Sequence, residues 1–192
     1  MRTFYKFIGL ICFISFSHQV KSQVIDELTI FNSLLDSIYD INTCVNKQDL
    51  NSLNQIMIIN DSLSTLDIMK SKNYLLTQIP KTSMFYTFIK NIRKPLRARG
   101  FNLDGLRQQN IKFMTLEQFD NRKYEHHFGK TGKQWFLGYF DLSKIYADIT
   151  KGLAIFKMNW VGGGTCGYEK IILIYRDGDT WKIEKQVGLG VY

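Results

Sequence analysis

The hairpin near the end of the chain restricts the fold more than any other feature. Residues 168–176 are rich in β-branched and aromatic side chains, Asp177 and Gly178 follow, and residues 180–189 form a second run of the same kind. An Asp-Gly pair between two such runs predicts a tight turn, because glycine accepts the positive φ that the turn requires. The chain therefore contains at least two antiparallel strands whose register this turn fixes.

Two earlier segments extend the hairpin into a predicted four-strand meander. Residues 153–161 alternate between apolar and polar side chains, and residues 139–147 form a weaker strand that a short turn at residues 148–152 joins to them. Successive strands with such short connections are typical of an antiparallel sheet. Residues 171–174 are apolar on both faces, which predicts a central strand covered by helices on one side or by a second layer.

The alternation also predicts which side chains are buried, since successive side chains of a strand point to opposite faces. In the second strand the buried face is assigned to Ala154, Phe156, Met158 and Trp160, against Lys157 and Asn159. In the last strand it is assigned to Trp181, Ile183, Val187 and Leu189, against Lys182, Glu184 and Gln186. Each of these strands is thus expected to bury one face and expose the other.

The part of the chain before the meander carries helical patterns. Residues 24–41 place an apolar side chain every three or four positions, with Asp26 and Glu27 in the first turn, where carboxylates offset the helix dipole. Residues 82–94 show the same period, and Pro95 ends that helix. Residues 115–118 match a capping box that opens one or two helical turns. Residues 55–59 fit a short buried strand and a helix equally well.

These patterns predict a single α+β domain over residues 23–192. Two or three N-terminal helices pack on one face of a C-terminal antiparallel β-meander of four to six strands, and a cone-like curved sheet is one version of this arrangement. A chain of this length is long enough to bury about 70% of its unfolded surface without staples.

Residues 1–22 have the pattern of a secretory signal peptide. A positively charged start precedes an apolar run at residues 7–16, and cleavage is predicted between Ser22 and Gln23, with lipidation at Cys12 as the second interpretation. The run is shorter than the roughly 20 residues that a membrane-spanning helix needs. We therefore expect an exported protein, periplasmic or secreted, with no transmembrane segment in the mature chain. Cleavage removes three basic residues and no acids, so the net charge falls from +8 to +5.

Two cysteines remain after this cleavage. In an oxidising compartment Cys44 and Cys166 would form one disulfide, worth about 4 kcal/mol in the chain-entropy model for so long a loop. Two buried free thiols fit the sequence equally well, because sequence alone does not place the two Cβ atoms.

The densest basic run follows the second predicted helix and consists of Lys90, Arg93, Lys94, Arg97 and Arg99. Such a run binds anionic polysaccharide or lipid head groups in some proteins and is a solvated helix face in others. Nucleic acid is disfavoured as a partner, because the protein is expected to be exported and the run lacks interleaved aromatic residues for base stacking.

Other candidate motifs lack the context that their chemistry needs. The glycine-rich residues 162–167 precede a strand, whereas a phosphate-binding loop precedes a helix. His126 and His127 are adjacent, so on a strand they would point to opposite faces and not share a metal ion. The acids form no evident catalytic pair. The sequence therefore assigns no catalytic residue, no cofactor site and no metal ligand.

Several short motifs follow one another in the second half of the chain, at residues 111–119, 140–145, 153–156, 162–167 and 177–183. Their order resembles that of a family of small exported bacterial proteins without an established function, over roughly the last 80 residues. Members of that family carry two cysteines around the glycine-rich hairpin tip, but here the first of these positions is Gly162. The resemblance thus implies export, leaves Cys166 without its usual neighbour, and supplies no activity, substrate or catalytic residue.

These observations together predict a non-catalytic binding or interaction module of the envelope or the secreted fraction. Its expected partner is an envelope component or an anionic polymer, and the expected ligand site is the pocket between helices and sheet. The alternative is a small hydrolase that acts on envelope or extracellular material. A cleft with histidine or paired carboxylates would favour the hydrolase, and an apolar cleft the binding module.

Overall fold

The computed structural model describes residues 26–38, 54–60, 62–100, 103–107, 111–119, 129–131, 134–162 and 167–191. The predicted signal peptide, the two mature cysteines Cys44 and Cys166, and the histidines at positions 126 and 127 lie outside these residues. The predictions made for them stay predictions.

Three α-helices lie in the described part of the chain. Helix α1 is Glu27–Ile38, α2 is Lys72–Thr77 and α3 is Met84–Asn91, so that α1 and α3 fall inside the two segments predicted to be helical. Helix α3 begins where the Ser83 hydroxyl accepts a hydrogen bond from the backbone N–H of Phe85 at 3.2 Å. It ends at Asn91, and Ile92 is already extended. Pro95 follows closely and disfavours a helical conformation for the residue before it.

Ten strands are described, and a 3-10 turn at Leu103–Gly105 lies among them. In chain order they are β1 Asn54–Ile59, β2 Ser62–Leu63, β3 Arg99–Gly100, β4 Ile111–Met114, β5 Gly129–Thr131, β6 Gln134–Leu142, β7 Tyr146–Asp148, β8 Leu153–Val161, β9 Gly167–Asp177 and β10 Thr180–Val191. The main sheet has the order β10-β9-β8-β6-β1-β4, with β5 paired to β6 and β7 paired to β8. Strands β2 and β3 form a separate antiparallel pair. The α+β fold with its antiparallel meander, β6 to β10, is confirmed.

The sheet also contains a parallel part that the sequence did not predict. Residues 55–59 belong to a strand, β1, which pairs in parallel with both β4 and β6. Parallel neighbours need a long crossover connection, and the connection from β1 to β4 contains α2 and α3. The sheet is therefore mixed, and β1 lies inside it.

The first predicted strand of the meander is interrupted. Strand β6 ends at Leu142 and β7 begins at Tyr146, although both pair with β8. Between them Ser143 is fully buried, and its hydroxyl accepts a hydrogen bond from the backbone N–H of Lys157 at 2.7 Å. Residues 64–66 lie beside the chain at this point, and the N–H of Ser64 donates a hydrogen bond to the carbonyl of Leu142 at 2.8 Å. This contact from a distant segment breaks the strand that local alternation predicted to be continuous.

Helices cover both faces of the sheet, whereas the sequence placed them on one. Phe31 of α1 packs edge to face on Phe156 of β8, with ring centroids 5.3 Å apart, on what we call the first face. On the opposite, second face, Phe88 of α3 packs on Tyr146 of β7 with ring centroids 5.8 Å apart. Residues 171–174 of β9 are buried on both faces, as predicted, since alternate side chains enter the two cores.

The last strand changes its buried face part-way along. The pairing of β10 with β9 shifts between Ile183 and Lys185, so that one extra residue stands in β10. Trp181 and Ile183 consequently pack on the first-face core, and Val187 and Leu189 on the second. The prediction that all four share a face was wrong, because a β-bulge reverses the alternation.

The predicted capping box makes its hydrogen bonds without a helix. The N–H of Thr115 donates to the Gln118 side chain at 3.0 Å, and the N–H of Gln118 donates to the Thr115 hydroxyl at 3.2 Å. Residues 116–118 form only a turn after β4. The local signal was therefore correct for the hydrogen bonds and wrong for the extent of the helix.

Candidate functional site

The layer of helices on the second face carries charges of one sign only. Residues 68–103 contain eight basic residues and no acidic residue. This segment comprises α2, α3 and the strand β3, and we call its described part, residues 68–100, the basic layer. The layer buries an apolar side against the sheet, formed by Leu75, Phe85, Phe88, Ile89 and Ile92. The opposite side exposes Lys70, Lys81, Lys90, Arg93, Lys94 and Arg97.

Four residues of the predicted basic run are exposed in this layer. Lys90 lies in the last turn of α3, Arg93 and Lys94 follow it, and Arg97 comes directly after Leu96. No described carboxylate forms an ion pair with any of these four side chains. Arg99 lies in β3, where its backbone pairs with Leu63. These first four residues are thus a solvent-facing group of cations that the described acids leave uncompensated.

Lys72 holds the end of α3 in this layer. Its ammonium donates hydrogen bonds to the backbone carbonyls of Lys90 and Ile92, each at 2.7 Å. These carbonyls lie at and just beyond the C-terminus of α3, where a cation is favoured by the helix dipole. Burial, and then the nearby Arg93 guanidinium, lower the pKa of the Lys72 ammonium. The second of these causes shows that positive charges crowd one another at this place.

A pocket of about 510 Å³ opens beside the basic layer on the second face. We call it the large pocket; it is lined by Thr65, Asp67, Lys70, Ser71, Tyr74, Lys157, Glu169 and Leu189. Its floor is the sheet, where the Lys157 ammonium lies 2.9 Å from the Glu169 carboxylate and both side chains are about three-quarters buried. Its wall is the segment that leads into α2. The pocket is therefore polar, with both signs of charge at its surface.

The basic run is attached directly to that wall. Leu66 and Leu96 exchange two backbone hydrogen bonds of 3.0 Å, and the N–H of Ala98 donates to the Thr65 hydroxyl at 3.1 Å. Residues 93–98 therefore run past residues 65–67, of which Thr65 and Asp67 line the large pocket. The basic run and the pocket form one continuous surface, and this surface is the candidate site.

The pocket contains two carboxylates, but both have structural partners. Glu169 is paired with Lys157, and the Asp67 carboxylate accepts a hydrogen bond from the backbone N–H of Met69 at 3.0 Å. Among the described residues, no three His, Cys, Asp or Glu side chains are grouped so as to hold a metal ion. The pocket thus matches neither the apolar cleft expected of a binding module nor the paired free carboxylates expected of a hydrolase.

A second, smaller pocket of about 130 Å³ lies on the same face, at the carboxyl ends of the parallel strands. We call it the small pocket; it is lined by Ile58, Ile59, Asn60, Leu116, Tyr139, Phe140, Asp141, Asn159 and Val161. Crevices at the carboxyl ends of parallel strands are frequent ligand sites in open sheets. Here the turn after β4 contributes Leu116 to the lining, and the ends of β1, β6 and β8 contribute the other lining residues.

The sequence indicated the basic run and an expected pocket between helices and sheet, but it did not indicate which residues line that pocket. Lys70, Tyr74 and Glu169 lie far apart in the chain, and no local pattern connects them. The available signal was the uninterrupted basic character of residues 68–103, which a simple count of charges reveals. Of the described helices, none is long and apolar enough to cross a membrane.

Comparison with protein-family models, with curated proteins and with solved structures finds no match to this chain. The resemblance to small exported bacterial proteins therefore stays a prediction. A functional proposal for this chain rests on its own geometry and charge.

Proposed function

We propose that this chain is an exported, non-catalytic binding module for an anionic ligand, which it holds on the basic layer and in the large pocket. The observation that carries the proposal is the acid-free basic segment, residues 68–103, whose 93–98 portion borders a polar pocket. A surface whose charges have one sign concentrates ligands of the opposite sign and accelerates their association.

The charges of the layer would be stabilised by such a ligand. Arg93 lies close enough to Lys72 to lower its pKa, which is a repulsion that an anion placed between them would relieve. Arg93, Lys94 and Arg97 project from a short connection held at Leu66 and Leu96, so their backbone is already ordered before binding. A polymer with regularly spaced negative groups fits this linear arrangement, and an acidic polysaccharide of the envelope or the extracellular medium is the class that export would make available.

The large pocket gives this surface a place for a part of the ligand that is uncharged or that carries groups of both charges. Its hydroxyl groups at Thr65 and Ser71 and the half-exposed ring of Tyr74 suit a sugar, which presents hydroxyl groups at its edge and an apolar face. Lys70 stands at the same pocket and joins it to the cations of the layer.

The first prediction tests the basic layer by charge reversal. The double variant Arg93→Glu and Arg97→Glu should bind heparin or dextran sulfate about tenfold more weakly at low salt, since each exposed ionic contact is worth up to about 1 kcal/mol. The measurement is the affinity by titration at several salt concentrations, because a contact of this kind weakens as ionic strength rises.

The control variant changes the net charge by the same amount at another place. Lys112→Glu and Lys151→Glu alter exposed lysines of β4 and of the turn before β8. This control should bind as the unchanged protein does. Equal losses in both double variants would mean that only net charge matters, and an unchanged affinity in the Arg93 and Arg97 variant would refute the proposed site.

The second prediction concerns export, which rests on residues 1–22. The protein recovered outside the cytoplasm should have an intact mass that begins at Gln23. Alkylation of Cys44 and Cys166 only after reduction would establish their disulfide, and alkylation without reduction would establish two free thiols. An exported chain that retains residues 1–22 would contradict the assignment of the signal peptide.

A further inference from the structure

A row of polar side chains crosses the second face of the sheet through the small pocket. Asp141 of β6 stands opposite Asn159 of β8, and Asn159 stands opposite Glu169 of β9. On the other side Asn60 follows the end of β1 and donates its side-chain N–H to the Asp141 carboxylate at 3.4 Å. Four adjacent strands thus present one line of hydrogen-bonding groups, and its Asp141 and Asn159 part lies at the small pocket.

The described residues leave the acceptors in this part of the row largely unsatisfied. The Asn159 side-chain oxygen is buried and has no hydrogen-bond partner among them. Among the described residues, the Asp141 carboxylate accepts one long hydrogen bond, from Asn60, whereas Glu169 is paired with Lys157 at 2.9 Å. A buried acceptor without a donor is costly, and a carboxylate beside it makes the place electronegative. The floor of the small pocket therefore lacks a donor that carries positive charge.

The rim of the same pocket is apolar and exposed. Leu116, Tyr139 and Val161 are 59%, 43% and 39% exposed, and all three line this pocket. Large apolar side chains that stand together around a cleft mark a place where a ligand is covered. The hydrogen bonds between Thr115 and Gln118 fix the turn that carries Leu116. The apolar rim is consequently held in position before any ligand arrives.

We propose that the small pocket binds a small organic cation, namely an ammonium group on a short apolar body. The ammonium carries up to three donors, which match the Asp141 carboxylate and the Asn159 oxygen on the floor. The Tyr139 ring can face the cation from the rim, and Leu116 and Val161 can cover the apolar body. A volume of about 130 Å³ suits a body of only a few carbon atoms.

This site is independent of the proposed function. The basic layer takes negative charge, whereas the small pocket takes positive charge, and the Lys157–Glu169 ion pair lines the large pocket that lies between them. Loss of polyanion binding would leave the small pocket intact, and the reverse also holds. The two proposals therefore fail or succeed separately.

The test compares butylammonium with 1-butanol, its neutral analogue of nearly equal shape. Both are titrated into the whole protein, and the side-chain amide resonances of Asn60 and Asn159 are followed by NMR. Butylammonium should shift these resonances in a saturable manner, and 1-butanol should bind at least about tenfold more weakly because it lacks the charge.

Three variants locate the binding. Asp141→Asn keeps the shape and removes the charge, and Leu116→Lys places a cation on an exposed position of the rim; each should weaken butylammonium binding about tenfold or more. Asp179→Asn removes an exposed carboxylate of the β9–β10 turn and should leave the affinity unchanged. Equal binding of 1-butanol and butylammonium, or an unchanged affinity in both Asp141→Asn and Leu116→Lys, would overturn the proposal.

Discussion

Replacement of Gly138 by alanine is expected to lower the free energy of unfolding by at least about 3 kcal/mol. Gly138 has a φ of +112°, a conformation that side chains with a Cβ rarely adopt. A Cβ added there would lie 2.3 Å from the carbonyl oxygen of Val161 and 3.0 Å from the Cα of Gly162. Both contacts are with backbone, which cannot move aside as the end of a side chain can, so the strand pair itself must shift.

The reason for a glycine at this place is a bulge in the sheet. Ile56 pairs with Phe136 and Ile58 pairs with Tyr139, so that β6 has one residue more than β1 between these pairs. The extra residue lets Leu137 and Phe140, three positions apart, enter the same core. The carbonyl of Leu137 also accepts a hydrogen bond from the buried indole N–H of Trp160 at 2.9 Å. The strain at Gly138 thus supports the packing of β6 against β8.

Chemical denaturation of Gly138→Ala measures this effect, and Gly188→Ala is the matched control. A Cβ on Gly188 would have no atom within 4 Å, so this second substitution should change the free energy of unfolding by less than about 1 kcal/mol. Similar losses in the two variants would show that the close approach at Gly138 is not the cause, because a Cβ on Gly188 meets no atom within 4 Å.

The second large effect is expected from Phe156→Ala, which should cost about 3–5 kcal/mol of stability. Phe156 is completely buried in β8 and packs edge to face on Phe31 of α1, at an interplanar angle of 79°. Its removal opens a cavity between the first helix and the sheet, where neighbouring side chains relax only in part. The exposed substitution Met84→Ala, at a side chain that is 66% exposed, should change stability by no more than about 0.5 kcal/mol.

A double-mutant cycle with Phe31→Ala tests the contact itself. The two rings should show a coupling of about 0.5–1.5 kcal/mol beyond the loss of buried area. Additive losses would mean that the helix α1 and the sheet are stabilised independently, which would contradict the packing of α1 on the first face.

The local patterns of the chain were sufficient for several elements. The tight turn at Gly178, the single face shared by the predicted buried side chains of β8 and the apolar period of α3 each involve residues close in sequence, and each is present in the structure. The other face of β8 was expected to be exposed, but Leu153 and Ile155 are buried there because the layer of α2 and α3 covers it. The capping box at Thr115 shows the limit of such signals, since its hydrogen bonds form but the helix after it does not. A capping box fixes two hydrogen bonds, and the helix beyond it needs packing that the local sequence does not contain.

The same distinction between local and long-range contacts applies to the candidate sites. The basic run was visible because charges adjacent in sequence on a short connection stay adjacent in space. The ion pair of Lys157 with Glu169 and the acceptors of Asp141 and Asn159 were not visible, because strand pairing brings them together from three separate strands. Their positions depend on register, and register across a sheet is set by all of its strands together.

By itself, then, the sequence determined the α+β class, the meander, two of the three described helices and the basic run at residues 90–99. Only the tertiary structure decided that β1 enters the sheet in parallel, that helices cover both faces, and that bulges at Gly138 and after Ile183 change which side chains are buried. The physical reason is that hydrophobic period and turn chemistry act over a few residues. Crossover connections, bulges and pockets instead result from contacts between segments far apart in the chain, which stabilise one register among several that the local sequence allows.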